Sequence, residues 1–333
     1  MVQLPRNHCP ARLGNPRRFA GRRRAMTITD ILGKKLIVIT GKGGVGKTTV
    51  SLALAFLNAR LGRRPVYVTL KEVRPGYPFF GFTGGVGSGE TELAPGIRAH
   101  YIDPSAALDE YVKERFVRLY PLYAAILKSK AISGFFDAAP GLKELITIGK
   151  VWHLGNRPGG YDQVIFDAPS TGHAVPILDL PSRVLDMVRG GAFRSHIEWV
   201  EGFLKDPGKT AVLAVSAPED MAVGETLELA GSVREAGINV LGAVLNYAVE
   251  SPFTLAEEEA VLEAAEGSSR ELEAIRLARL TISRARATAK YGKVLGRSLS
   301  GAVLTAPRIL KKELSLEDLS ELSREIENQA ARP

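Results

Sequence analysis

The chain has 333 residues, long enough for one large α/β domain or two small ones. Hydrophobic residues make up 45% and charged residues 24%, the balance of an ordinary globular protein, so neither a fibrous nor a membrane-embedded chain is indicated. Its net charge of +8 invites a nucleic-acid partner, but residues 1–25 hold seven arginines and no acid. Removing those seven charges leaves +1 for residues 26–333, so no nucleic-acid partner is expected of the body.

Residues 1–25 carry Pro5, Pro10 and Pro16, no hydrophobic period and no apolar signal core. They are read as a disordered basic arm with Met26 as the true start. An arm that touches a membrane or nucleic acid is the other reading. The one cysteine, Cys9, lies in this arm, which excludes a disulfide within the chain and any cysteine-based zinc site in the body. No run approaches 18 uncharged apolar residues, so no integral membrane segment is expected, and a reducing, cytoplasmic setting fits.

The first element of the body is the apolar run Lys35–Thr40, read as a strand buried on both faces of a parallel sheet. Gly41-Lys42-Gly43-Gly44-Val45-Gly46-Lys47-Thr48-Thr49 follows, and Thr48–Leu61 reads as a helix. Strand, G-x-x-x-x-G-K-[ST] and helix in that order form a phosphate-binding loop. Its glycines let successive backbone N–H groups turn inward on phosphate oxygens, and the helix presents its positive end to the same anion. Lys47 supplies a cation for the β- and γ-phosphates of ATP, and the Thr48 hydroxyl a ligand for Mg²⁺.

Further strands are expected at Pro65–Leu70, Ile97–Ile102, Tyr161–Ala168, Thr210–Ser216 and Val240–Asn246, with a weaker one at Gly301–Thr305. Helical patterns lie between most of them. The alternation predicts a doubly wound, mostly parallel α/β sheet, the P-loop NTPase class. Gly84–Gly89 imitates a second phosphate loop, but no lysine follows its last glycine, and it reads as a flexible loop. Residues 104–156 interrupt the alternation with helical spacing at Leu108, Val112, Phe116, Leu119 and Tyr123. They are read as a helical subdomain inserted into a single ATPase domain, 26–333. A second helical stretch is expected over Ala256–Arg297. A final helix starts at Ser315, with Asp318 three residues on as a capping box.

Phe166-Asp167-Ala168-Pro169-Ser170-Thr171-Gly172-His173 ends a strand on an acid. A carboxylate at the carboxyl end of a neighbouring strand can hold a Mg²⁺-bound water, because open α/β sheets bind ligands at that edge. Lys42 adds a second lysine inside the loop. Together, K-G-G-V-G-K-T and this acid segment resemble the deviant Walker A ATPases of the ArsA type, a family of anion-transporting and tail-anchored-protein-targeting ATPases. The acid segment is similar to the D-T-A-P-T-G-H switch II of that family, keeping the Asp, the Thr-Gly-His end and the length. MinD and ParA share the double lysine but lack this segment. The resemblance covers residues 33–325.

The resemblance implies a MgATP-dependent dimeric switch. Lys42 would reach a partner's phosphates across a homodimer, or a heterodimer with a paralogue. Lys42, Lys47 and Asp167 would be catalytic, and Thr48 and Asp167 would serve Mg²⁺, Asp167 through water. Glu219 would meet the ribose or the dimer interface, and Asn246 the adenine, with Ala306-Pro307-Arg308 in the place of an adenine-covering loop. His173 could sense the γ-phosphate or serve only as a hinge.

Two departures limit the implied function. The family's switch I Asp, which positions the attacking water, is replaced by Lys71, a cation that cannot accept a proton from water. Nucleotide binding is therefore expected more firmly than robust hydrolysis, and a nucleotide-binding interaction module with little turnover stays open. The body also lacks the cysteines of a metalloid site. A targeting factor with a hydrophobic protein client remains an alternative through the apolar residues of 104–156, although that segment has no methionine. A partition-type protein is weaker, because the C-terminal helix is acidic.

Overall fold

A computed structural model describes residues 26–70, 89–115, 141–264, 269–299, 303–311 and 313–330. The arginine-rich arm, Lys71, Gly84–Ser88 and the middle of the expected helical subdomain lie outside the described residues.

The first strand, β1 (Leu36–Gly41), is buried along its whole length. Leu36 and Val38 face one core while Ile37 and Ile39 face the other. That is why the run is apolar without alternation. Seven more strands follow: β2 (Pro65–Thr69), β3 (Gly89–Ala94), β4 (Ile97–Tyr101), β5 (Gln163–Asp167), β6 (Thr210–Ser216), β7 (Val240–Ala248) and β8 (Val303–Pro307). They form a single sheet in the order β3-β4-β2-β5-β1-β6-β7-β8. All neighbours are parallel except β3, which runs antiparallel to β4. The chain moves from β1 toward β2 and β4 in one direction, and through β6, β7 and β8 in the other. The order therefore reverses at β1, the place where sheets of this kind bind ligands.

Each face of the sheet is covered by helices. On one side lie α1 (Ile28–Leu32), α2 (Lys47–Arg60) and the last helix, α10 (Leu316–Ala330). On the other lie α3 (Pro104–Arg115), α4 (Leu142–Asn156), α5 (Thr171–Met187), α6 (Ala192–Lys205), α7 (Asp220–Glu235) and the long α9 (Ser269–Ser298), which is preceded by α8 (Leu255–Glu263). Helix α2 buries Val50 to Leu57 almost continuously, because it is pressed between the sheet and α10. At the far end of α2, Asn58 Nδ2 donates to Leu54 O and to Gln163 Oε1, both at 2.9 Å. Gln163 in turn donates to Ile31 O and Lys34 O, which ties α1, α2 and β5 together at the edge away from the site.

The expected strands all occur. So does the capping box of the last helix, where Ser315 N donates to Asp318 Oδ2 at 2.8 Å and Asp318 N to Ser315 Oγ at 3.2 Å. The expected helical stretch 256–297 is present as two helices, α8 and α9. Strand β3 was not expected, and its Gly89 had been placed in a loop. Its sequence, Gly-Glu-Thr-Glu-Leu-Ala, is too charged to read as a buried strand. It belongs at a sheet edge, where Glu90 pairs with Arg98 of β4 at 3.7 Å and charge discourages further strand addition.

Both described ends of the segment 104–156 are helical, and α3 and α4 pack on each other. Lys150 Nζ meets Glu110 Oε2 between them at 2.5 Å. Beside this pair, burial and then the Lys150 charge push His100 down from 6.5 to about 4, against the opposing pull of Glu110 and Glu90; His153 adds a small downward push. Folded His100 is therefore neutral where the unfolded residue would take a proton. Stability should fall by about 1–2 kcal/mol as pH drops from 6.5 toward 4, partial exposure having reduced the full linkage value. Urea titrations at several pH values, on wild type and His100→Gln, check this. The variant should lose much of that slope.

Candidate functional site

The carboxyl ends of β1, β2, β5, β6, β7 and β8 converge on the loop between β1 and α2. Gly41 leaves β1 so close to β6 that a Cβ on it would stand 2.1 Å from Val215 O. Gly46 caps α2 at φ +88°, a left-handed conformation natural to glycine, and a Cβ there would stand 2.1 Å from Asn246 Nδ2. Gly43 has no atom within 4 Å of its Cβ position, nor has Gly44. The loop is thus packed tightly at both ends and open in the middle, which is the shape of an anion cradle.

Lys47 arches back over this loop and donates to Gly41 O and Lys42 O, each at 3.0 Å. Its ammonium therefore sits within the cradle. Thr48, on the first turn of α2, donates from Oγ1 to Asp167 Oδ2 at 2.6 Å. Asp167 is the last residue of β5 and is 8% exposed. The two residues paired from the sequence as Mg²⁺ partners are in direct contact. A Thr hydroxyl and a carboxylate are hard oxygen donors suited to Mg²⁺. Among the described residues no group of three His, Cys, Asp or Glu side chains gathers as a cage. The donor set fits an ion that takes most of its other ligands from phosphate and water. A third group, Tyr67 of β2, donates from its hydroxyl to the same Asp167 oxygen at 2.9 Å. Burial first, and then the Asp167 charge, raise the phenol well above its ordinary value.

Lys42 points elsewhere. Its Nζ lies 2.8 Å from Glu225 Oε1 on α7, with both side chains about a third exposed. Val45 is buried and forms the back of the loop, and Thr49 continues α2. Glu219, at the N-cap of α7 just after β6, is exposed at the same edge. Asn246 is 2% exposed, and its Nδ2 donates to Val45 O at 2.8 Å. The next residue, Tyr247, adopts φ +59° and donates from its hydroxyl to Gly44 O at 3.1 Å. Asn246 and Tyr247 together clamp the loop from β7. Arg308 follows β8 beside them and opposes the rise that burial gives the Tyr247 phenol. His173 lies exposed in the first turn of α5, behind the acid.

Tyr67, Tyr247 and Glu225 were not singled out from the sequence. Tyr67 reads as one more residue of a buried strand. Tyr247 follows the asparagine that drew the eye, and its positive φ has no signature in a residue type that rarely adopts it. Glu225 sits mid-helix among ordinary surface acids.

A family model described as an anion-transporting ATPase matches residues 34–191, the span from the strand before the loop to the helix after Asp167. Over that span the chain is similar to this ATPase family. ATPase BagA of Mycobacterium tuberculosis (strain ATCC 25618 / H37Rv) is 29% identical over 245 residues, covering 71% of this chain and 70% of that protein. The arsenical pump-driving ATPase of Escherichia coli is 27% identical over 243 residues, 66% of this chain but 41% of that protein. ATPase ASNA1 homolog 1 of Paramecium tetraurelia is 26% identical over 251 residues, 64% of this chain and 74% of that protein. The doubly wound sheet, the loop at the β1 reversal point and the family match agree on a P-loop NTPase fold of the ArsA type. ATPases of this family bind nucleotide, generally with Mg²⁺. Among the described residues no helix is long and apolar enough to cross a membrane.

Proposed function

We propose that this chain binds MgATP at Gly41–Thr49 and hydrolyses it as a nucleotide-driven dimeric switch. The observation that carries the reading is the Thr48–Asp167 contact of 2.6 Å at the mouth of an open glycine cradle. The loop's backbone N–H groups and Lys47 would bind the phosphates, Lys47 exchanging two carbonyl acceptors for anionic ones. Thr48 would offer a lone pair to Mg²⁺ while its O–H stays directed at Asp167, and Asp167 would hold a water of the metal. Bound Mg²⁺ would neutralise charge on the β- and γ-phosphates during phosphoryl transfer.

Glu219 is exposed where a ribose or a second subunit would lie. Asn246 would meet adenine only through atoms left over from its bond to Val45, so the clamp on the loop is the role its burial favours. Lys71 keeps turnover slow in this reading, since no acid is expected at that position to orient the water.

Lys42 supports the dimer. Held by Glu225 in its own chain, it must exchange that partner for phosphate if it is to act across an interface. An ion pair this exposed contributes about 0–1 kcal/mol, so it is a weak latch that a phosphate outcompetes. Sedimentation of the full chain with and without MgATP tests the switch, alongside phosphate release on the same sample. Nucleotide should shift the chain from monomer to dimer, and Glu225→Gln should shift it up to about fivefold more readily. A monomer at every nucleotide concentration tells against the switch. Dimerisation without measurable phosphate release supports the interaction module instead.

The client-binding reading rests on a cavity of about 430 Å³ between α3, α4 and α6, lined by Leu145, Ile146, Trp152, Phe193 and Ile197. It borders the first half of α3 and most of α4; the chain between those helices lies outside the described residues. No described feature favours an apolar client over packing by that chain.

A further inference from the structure

We propose that Tyr67 is a positioning residue for Asp167, holding the carboxylate that serves Mg²⁺ through a hydrogen bond made from the second strand. The inference rests on the MgATP reading and deepens it. Three observations carry it.

The first is register. Thr69 of β2 lies opposite Asp167 of β5, and Tyr67 lies opposite Ile165. Tyr67 and Asp167 therefore share the α2 face of the sheet, two residues apart along it, about 6.6 Å of strand rise. A phenol laid along the strand spans that gap, and no shorter side chain at position 67 would. The second is convergence. Tyr67 Oη at 2.9 Å and Thr48 Oγ1 at 2.6 Å donate to one and the same oxygen, Asp167 Oδ2. A carboxylate oxygen has about two lone-pair sites, so the pair of donors fills it and fixes the orientation of the group. The third is burial. Tyr67 is 3% exposed and Asp167 is 8% exposed, so neither is positioned by solvent. A buried phenol needs some acceptor. Here the acceptor is the acid of the metal site.

Thr48 alone is a poor anchor for Asp167, because its hydroxyl must also face the metal. Tyr67, whose hydroxyl also meets Thr69 and Thr48, has no metal to face. It keeps Asp167 aimed while Thr48 adjusts to an incoming ion, and it links β2, the strand that leads into position 71, to the end of β5.

The test is the Mg²⁺ dependence of ATP binding, measured calorimetrically on the full chain in Mg²⁺ and in EDTA. The variants are Tyr67→Phe, Asp167→Asn and the double substitution. Tyr67→Phe keeps the ring and hence the packing. It should reduce the Mg²⁺-dependent gain in affinity about three- to tenfold and leave affinity in EDTA within twofold of wild type. In the Asp167→Asn background the same change should alter the Mg²⁺ gain no further. An unchanged Mg²⁺ gain in Tyr67→Phe overturns the proposal, as does an equal loss with and without Asp167, which would make Tyr67 a packing residue only. ATP binding with no Mg²⁺ gain in wild type overturns the MgATP reading and this proposal with it. A normal wild-type gain that ignores Tyr67 removes the proposal alone.

Discussion

Lys47→Ala is expected to lower steady-state phosphate release by at least about 100-fold, to the level of the buffer background. The reason is geometric. Lys47 is folded into the cradle with its ammonium 3.0 Å from two loop carbonyls, so its charge already stands where phosphates would lie. Phosphoryl transfer depends on positioning and charge neutralisation, and removing one preorganised donor from such a site typically costs about 10²–10³ in rate. The carbonyls of Gly41, which is buried, and Lys42, which is half-buried, lose a donor, and a thermal melt alongside the assay separates any loss of stability from the loss of activity. Activity unchanged by the substitution would refute the ATPase reading outright.

Gly46→Ala should be more damaging still, because it strikes both stability and binding. An alanine at φ +88° costs about 1–2 kcal/mol in backbone strain. Its Cβ would meet Asn246 Nδ2 at 2.1 Å and Tyr247 Oη at 3.2 Å, so the clamp must open. A buried amide pushed off Val45 O costs about 1–3 kcal/mol more. A total loss of about 2–5 kcal/mol in urea denaturation is expected, with ATP binding abolished. Gly43→Ala provides the contrast. Nothing lies within 4 Å of that Cβ, so stability should stay within about 0.5 kcal/mol, while the methyl group stands in the cradle and weakens nucleotide binding. If the two variants behave alike, the division of the loop into packed ends and an open centre is wrong.

What could be read from the residues alone was what is local. The loop at Gly41–Thr49 announces itself because the required glycines, lysine and threonine are contiguous and the flanking strand and helix have their own periods. Asp167 is readable because it ends an apolar run and opens a recognisable segment. The capping box at Ser315 and Asp318 spans only four residues. Strand β3 escaped because an edge strand needs neither apolar faces nor β-branched residues. The remaining parts of the site escaped because they depend on register and crossing. Tyr67 matters only through the pairing of β2 with β5, which places a phenol of an otherwise routine core strand beneath a distant carboxylate. Lys42 was expected to face a partner. That within its own chain it meets Glu225, on a helix well down the sequence, follows from where α7 is laid across the sheet. No pattern within either segment encodes that meeting.

The clamp from β7 carries a consequence for how the molecule is made. Asn246 and Val45 are 201 residues apart in the chain. At a synthesis rate of about 5–20 residues per second, roughly 10–40 seconds separate the emergence of the phosphate loop from that of the residues that brace it. For more than half of that interval the loop also lacks β5 and β6, the strands on either side of β1. A ligand stabilises only the state it binds. In the MgATP reading, ATP would therefore stabilise little of the chain during the early steps on the ribosome. It would favour the chain only after β5, β6 and β7 have docked, so nucleotide occupancy would report that the strands around the loop are in place.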